Sequence, residues 1–569
     1  MAQTQHPQLP MRPSDLVMDL KRLGSFYPTR LSFMRSLLRR VFRENWKIET
    51  TVFDLDDQAY GTAIYEVSTT HGEFSFVIFS DYLPDEKRND RVIATQWDLT
   101  MALCEGRVDP EFRAMLRNNV PLQEGGRLDA RVLVMSRANR SVRNFDYVVD
   151  ELAAGRQPAA EQLTRVGYLF RTTAVYGSGK FGMADWEKVS SRFPDFNRPF
   201  AAEMFTCFLL RQFSLDLVDH LARQRGPKTA VGMHPKLQRY IGIGNATGLG
   251  MAPFLIYHPQ LTNRWVTTRE SALATVMVDG QCDDATVGQL RCLAAKAYQH
   301  LFETFIEDER QGLKNRTAQT ELEQLDRWLV EDFDVAKGWH ELISYSETNF
   351  SVETQEILIS ILLELFPELV DIFDEFMCNS DSYLLNPEMP IAELRGLICS
   401  HYQWALDIDF TKASSQHTFW YRSQEKMEPR LGELGVDPGE DLQMPVDVAR
   451  SVVRCYASIE EHLASGEGDV VAHFVCKHPE HREIVRRIQT MSSTTYGDIR
   501  ANLVDADCLP LDLLRCKLSF FGVSKFDPKS RLWVRNTMYQ GAPLVADIGT
   551  TVSDDWCFPL MPTTLEPIH

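Results

Sequence analysis

The chain lacks most of the short signatures that announce an activity. Its eleven cysteines are scattered over 569 residues without one Cys-x-x-Cys pair. That spacing argues against a disulfide framework and favours reduced thiols in a cytoplasm. There is no His-Glu-x-x-His and no Cys/His tetrad, so no metal is expected. "HPEHR" offers His478 and His481 three positions apart, with Pro479 between them and no third ligand evident. No Gly-x-Ser-x-Gly elbow anchors a serine-hydrolase reading. A phosphate loop is approached only by "AVYGSGKF", where Ala174 replaces the first glycine and Phe181 the hydroxyl residue that would ligate magnesium, and it is rejected.

Long apolar runs are also missing. The richest, "MFTCFLLRQFSLDLVDHLA", is broken by Arg211, Asp216 and Asp219, so no transmembrane segment is expected. The first twenty residues carry acids and no apolar core, so no secretory signal is expected and the protein reads as cytoplasmic. Basic charge is short as well: 60 Lys and Arg face 79 Asp and Glu, a formal charge of −19. That balance speaks against nucleic acid as a partner. No repeat, heptad seam or low-complexity tract is seen.

What is present is ordinary globular composition, 44% apolar and 24% charged, in a chain too long for one core. The texture predicts an α+β fold that is predominantly helical, in three parts. Residues 1–155 read as an N-terminal antiparallel sheet with helices. Residues 156–400 read as a central helical region, and 401–569 as a mixed α/β region completing the site. In the first part, "PTRLSFMRSLLRRVFRENW" has Leu31, Met34, Leu37, Leu38, Val41 and Phe42 on one face and five arginines on the rest. This is a basic amphipathic helix. Such a helix can dock on an anionic membrane. The preferred reading packs its stripe on its own domain, without peripheral membrane contact. "KIETTVFDL", "QAYGTAIYEVSTT" and "EFSFVIFSDYL" predict an antiparallel meander, "RVIATQWDL" and "RVLVM" two more strands, and "DPEFRAMLRNN" a helix between them. Thr267 with Glu270, and Thr320 with Glu323, have capping-box spacing and predict helix starts. "CKLSFFGVSKF" and "RLWVRNTMY" predict late strands.

Four places invite chemistry. In "RYIGIGNATGLGMAPFLIYHP", Gly242, Gly244 and Gly248 read Gly-x-Gly-x-x-x-Gly, one residue too long for a dinucleotide fingerprint. The segment is expected to be a loop running into a helix. Its backbone N–H groups would then meet an anion, with Asn245 and Thr247 adding donors and His258 close beyond. The alternative is a tight turn in which the glycines only allow close packing. In "RTTAVYGSGKFG", Tyr176, Ser178 and Lys180 sit on a glycine-rich connector suited to acid–base or anion-binding groups. In "MSRANRSVRNFDY", Arg137, Arg140 and Arg143 recur at threes around Asn139. They would share one face of a helix beginning by 138, and would grip an acid group or pair with neighbouring acids. In "SQHTFWYRSQEKMEPRLGE", Tyr421 offers a wall, Arg422 and Arg430 positive charge and Glu425 a proton carrier. The acid pairs Asp54/Asp56 and Asp407/Asp409 are read as strand-borne and solvated.

The expected function is an enzyme of lyase or transferase type, acting by acid–base or group-transfer chemistry on a small carboxylate or phosphate metabolite. Lys180, Tyr176, His258 and Glu425 are its candidate catalytic groups. Arg137, Asn139, Arg140, Ser178, Gly244, Asn245, Thr247, Gly248, Tyr421, Arg422 and Arg430 are its candidate binding groups. No cofactor is assigned and oligomerisation is left open. The alternatives are a non-catalytic helical scaffold and a nucleotide-dependent transferase.

Overall fold

The computed structural model describes residues 11–84, 86, 96–123, 127–172, 189, 191–248, 259–377, 384–412, 420–422, 429–431, 441–443, 447–466, 469–491, 493–497, 510–529, 533–550, 556–562 and 565. It is α+β and mostly helical. Two compact units are each assembled from three chain segments: 1–26, 249–278 and 375–517 in one, and 27–248, 279–374 and 518–569 in the other.

The second unit is built on a nine-stranded sheet. Strands β1 (Lys47–Leu55), β2 (Gly61–Ser68), β3 (Glu73–Ser80), β4 (Leu99–Glu105) and β5 (Val132–Arg140) form an antiparallel meander. The sheet continues through β6 (Tyr168–Thr172) and β7 (Gly242–Gly248). First unit strands β8 (Trp420–Arg422), β9 (Pro429–Leu431) and β10 (Asp441–Gln443) make a separate three-stranded sheet. The large sheet closes with β12 (Trp533–Met538) beside β7 and β11 (Lys525–Pro528) at the edge. Every pairing in it is antiparallel except β6 with β7. The helical middle of the sequence thus supplies two interior strands.

Each face of the sheet has its own cover. Ile64, Val77, Phe79, Ala102 and Met135 form a cluster with Phe112, Leu116 and Val120, the last three coming from helix Pro110–Asn119 and its C-cap. That helix starts where expected, its N-cap Asp109 accepting from the Phe112 amide at 2.8 Å. The opposite face takes helix Ala201–Arg225, which is buried on nearly all sides and so carries no polar stripe. Tyr65 donates its hydroxyl to Asp216 at 2.6 Å, and Phe170 packs on Phe213. Cys207 is buried on this helix, as its apolar setting predicts, and burial pushes its thiol well up.

Arg211, in the middle of the same helix, is 1% exposed. Its Nε donates to the Ile241 carbonyl at 2.7 Å and its Nη1 to Pro543 at 2.8 Å. Its Nη2 donates to Gln238, Arg239 and Ala542 at 3.1, 2.9 and 2.8 Å. Burial draws this guanidinium down to about 9, with Asp547 pulling the other way.

Helix Phe33–Arg43 packs its stripe internally: Leu31, Met34, Leu37, Leu38 and Val41 are buried. Its arginines are matched by acids of residues 364–374. Arg35 pairs with Glu364, Arg39 with Asp374 at 2.7 Å, and Arg30 of the preceding turn with Asp371 at 2.7 Å. No helix among the described residues is long and apolar enough to cross a membrane.

Several local expectations need correction. Residues 96–98 lead into β4 rather than lying in a strand, which begins at Leu99. All of "CKLSFF" belongs to helix Pro510–Phe521, because a short apolar run suits a buried helix as well as a strand. Thr267/Glu270 and Thr320/Glu323 lie inside helices Pro259–Asp279 and Glu309–Glu331. The same i,i+3 spacing arises within any amphipathic helix. Glu270 is instead buried and clamped by Arg12 at 2.7 Å and Arg269 at 2.9 Å. The capping box falls on Asp283 and Thr286. Asp407 caps helix Gln403–Leu406, and Asp409 accepts from Thr411 in the following turn, so neither is on a strand.

Candidate functional site

The glycine stretch is strand where a loop was expected. Helix Pro235–Tyr240 precedes it, and β7 then runs from Gly242 to Gly248 between two neighbours. Thr172 of β6, Asn245 of β7 and Asn536 of β12 lie in register across three strands, and all three are buried. Gly242, Gly244 and Asn245 pair with β6 and Ile243 onward with β12, so the backbone amides of this stretch serve the ladders. Beyond, at Thr247 and Gly248, only β12 is paired with it among the described residues.

Gly244 has a packing reason. A Cβ there would stand 2.6 Å from three ring atoms of Tyr168, which real contacts do not tolerate. Gly242 is equally tight, with the Met538 carbonyl at 2.3 Å from such a Cβ. Gly244→Ala is expected to lower unfolding free energy by about 2 kcal/mol through displacement of Tyr168. Chemical denaturation measures this, and a variant as stable as wild type would refute the close approach.

The arginine cluster is divided by strand geometry. β5 continues to Arg140, and the next helix begins only at Phe145. Side chains alternate along a strand, so Arg137 and Arg140 point to opposite faces instead of sharing one. Arg137 lies over the Trp97 ring at 3.8 Å. Asn139 fastens the entry to β4, its Oδ1 accepting from the Asp98 amide at 2.9 Å and its Nδ2 donating to the Gln96 carbonyl at 3.2 Å. The Asp98 carboxylate in turn accepts from the Arg140 amide at 2.9 Å. These are structural duties that threefold spacing in the sequence did not reveal.

Arg140 does reach a concave surface. A cavity of 540 Å³ opens at the end of the sheet where β1 turns into β2, lined by Asp57, Gln58, Tyr60, Tyr82, Arg140 and Asp146 together with Gln224 and Arg225 from the end of helix Ala201–Arg225. The Arg140 guanidinium packs over Phe145 at 4.8 Å and reaches the Gln58 carbonyl at 3.4 Å. Arg225 is held by Asp150 at 2.7 Å and Asp146 at 3.0 Å. Tyr60 and Tyr82 meet edge to face at 5.9 Å, and Tyr82 is 70% exposed. Neither tyrosine was singled out by the sequence. Their contribution depends on two loops meeting, at 60 and at 82.

Tyr176, Ser178, Lys180, His258 and Glu425 lie outside the described residues. Tyr421 and Arg422 are on β8 and Arg430 on β9, with Tyr421 and Arg430 in register. These three belong to the first unit, whereas Arg140 and β7 belong to the second. Tyr496 is buried, its amide donating to Asn263 at 2.8 Å and its hydroxyl to the Arg12 carbonyl. Burial pushes its phenol up to about 12.

The "HPEHR" turn gains the ligand that sequence inspection overlooked. Glu480, between the two histidines, brings its carboxylate within 4.8 Å of both ring nitrogens. No protein-family model matches the chain, and no curated protein or solved structure resembles it significantly.

Proposed function

We propose that the protein is a cytoplasmic enzyme that binds a small carboxylate or phosphate metabolite in the 540 Å³ cavity and acts on it by acid–base or group-transfer chemistry. The observation that carries the binding half is Arg140 at the mouth of that cavity beside Tyr60 and Tyr82. The volume is in the range of small-molecule sites. A guanidinium offers a fork of N–H donors to an oxyanion, and the exposed Tyr82 with the half-buried Tyr60 gives the rest of the ligand an aromatic wall. Asp57, Asp146 and Arg225 leave the rim with mixed charge, which suits a ligand carrying a donor as well as an acid group. The chemical half rests on the sequence alone, on Lys180 and Tyr176 of the glycine-rich connector.

A thermal-shift screen of anionic metabolites tests the binding half. A ligand at a hundred times its Kd stabilises by about 2.7 kcal/mol. The resulting rise in Tm is expected to disappear in Arg140→Ala. Hits that shift both proteins equally would place the site elsewhere. With a hit in hand, Lys180→Ala is expected to bind normally and lose turnover.

A further inference from the structure

The geometry points to a transition-metal site on the turn after helix Val471–Lys477, and we propose that it takes Zn²⁺ or a similar borderline cation. The ligands are His478 Nδ1, Glu480 Oε1 and His481 Nε2. Glu480 Oε1 stands 3.6 Å from His478 Nδ1 and 3.8 Å from His481 Nε2, and all three atoms lie within 4.8 Å of one another. A tetrahedral ion with bonds near 2.1 Å needs ligand atoms roughly 3.4 Å apart. The two separations to Glu480 therefore need to close by only a few tenths of an ångström, while the two imidazole nitrogens, within 4.8 Å of each other, close by up to about 1.4 Å through rotation of the His478 side chain.

The site is built from three elements. The short 3-10 turn Pro479–His481 places the three ligands on one side of the chain. Phe474 of helix Val471–Lys477 backs both rings, at 5.0 Å from His478 and stacked at 5.9 Å on His481. Ser458, from helix Asp447–Ser465, puts its Oγ 3.0 Å from His481 Nε2. That hydrogen bond uses the nitrogen that would ligate the ion, so metal binding displaces it and leaves the hydroxyl beside the site. His481 is buried, His478 is 20% exposed along its side chain, and Glu480 is 62% exposed. An ion thus enters from solvent through the carboxylate and seats against fixed imidazoles. Two nitrogens and one oxygen suit Zn²⁺ over Ca²⁺ or Mg²⁺, which prefer oxygen alone. Three protein ligands leave one position open, the pattern of zinc centres that polarise water or substrate.

The test uses the full chain, stripped with chelator and titrated with Co²⁺. One equivalent is expected to give the visible bands of four-coordinate cobalt without a near-ultraviolet thiolate band, and Zn²⁺ is expected to displace it. Glu480→Gln, at the surface, and His478→Ala, half-buried against Phe474, are each expected to weaken binding at least roughly tenfold, with Tm of the metal-free protein unchanged in Glu480→Gln. Cys476→Ser is expected to bind as wild type. A thiolate band, or wild-type affinity in both Glu480→Gln and His478→Ala, overturns the assignment.

Discussion

Arg211→Met is expected to cost about 4 kcal/mol of unfolding free energy, the scale of breaking a buried charged network from one side. Arg211 is 1% exposed, and its three nitrogens donate to the carbonyls of Gln238, Arg239, Ile241, Ala542 and Pro543. Three of those carbonyls stand at the end of helix Pro235–Tyr240, where the last turn has no partners of its own and the dipole favours a cation. The other two belong to the chain just after β12. Methionine fills the volume and removes the guanidinium donors from all five carbonyls, of which Arg239 keeps the Gly541 amide at 2.8 Å; a buried acceptor left without a donor costs about 1–3 kcal/mol before relaxation. Arg211→Lys keeps the charge, but a single ammonium has three donors. It is expected to recover only part of the loss. Urea denaturation followed by tryptophan fluorescence and by circular dichroism measures both variants. A methionine variant within 1 kcal/mol of wild type, a threshold on the order of one ordinary hydrogen bond, would show that the carbonyls are satisfied some other way.

Glu203→Gln is expected to stabilise the protein increasingly as pH rises. Glu203 lies in the first turn of helix Ala201–Arg225 and is 4% exposed. Burial pushes its carboxyl up from 4.5 to about 8, with its own backbone amide pulling slightly down. The folded protein therefore retains a proton that the unfolded chain has released throughout the interval between those values. Where the folded state binds more protons, stability falls with pH, by about 1.4 kcal/mol per unit. This group's contribution is intact below pH 4.5, declines through the interval and levels off above about 8. The difference between wild type and Glu203→Gln should widen by about 3 kcal/mol from pH 5 to pH 7.5. Taking the difference cancels the other carboxylates. Parallel curves across that range would mean that Glu203 ionises in the fold.

The sequence was legible where local chemistry and tertiary packing agree. The Lys47–Ser80 meander has β-branched and aromatic residues in short runs with Gly72 at a turn, and nothing in the fold opposes that preference. Helix Pro110–Asn119 carries its own cap. β7 was illegible for the opposite reason. "GIGNATG" has almost no strand propensity, and only β6, β12 and the Tyr168 ring make it extended. Arg137 and Arg140 misled because a spacing of three is meaningful on a helix and splits the pair on a strand. Glu480 escaped notice because a ligand triad within one turn depends on the local backbone, which residue types alone do not specify.

The position of β7 also bears on synthesis. Its partners are Tyr168–Thr172, made shortly before it, and Trp533–Met538, made far later. At about 5–20 residues per second, a ribosome needs on the order of 15–60 s to travel from the end of β7 to the start of β12. During this time a glycine-rich strand waits with one flank bare, open to pairing with a neighbouring nascent chain. Messages truncated before codon 533 should therefore yield insoluble or chaperone-bound product, even though the entire five-stranded meander has already been made.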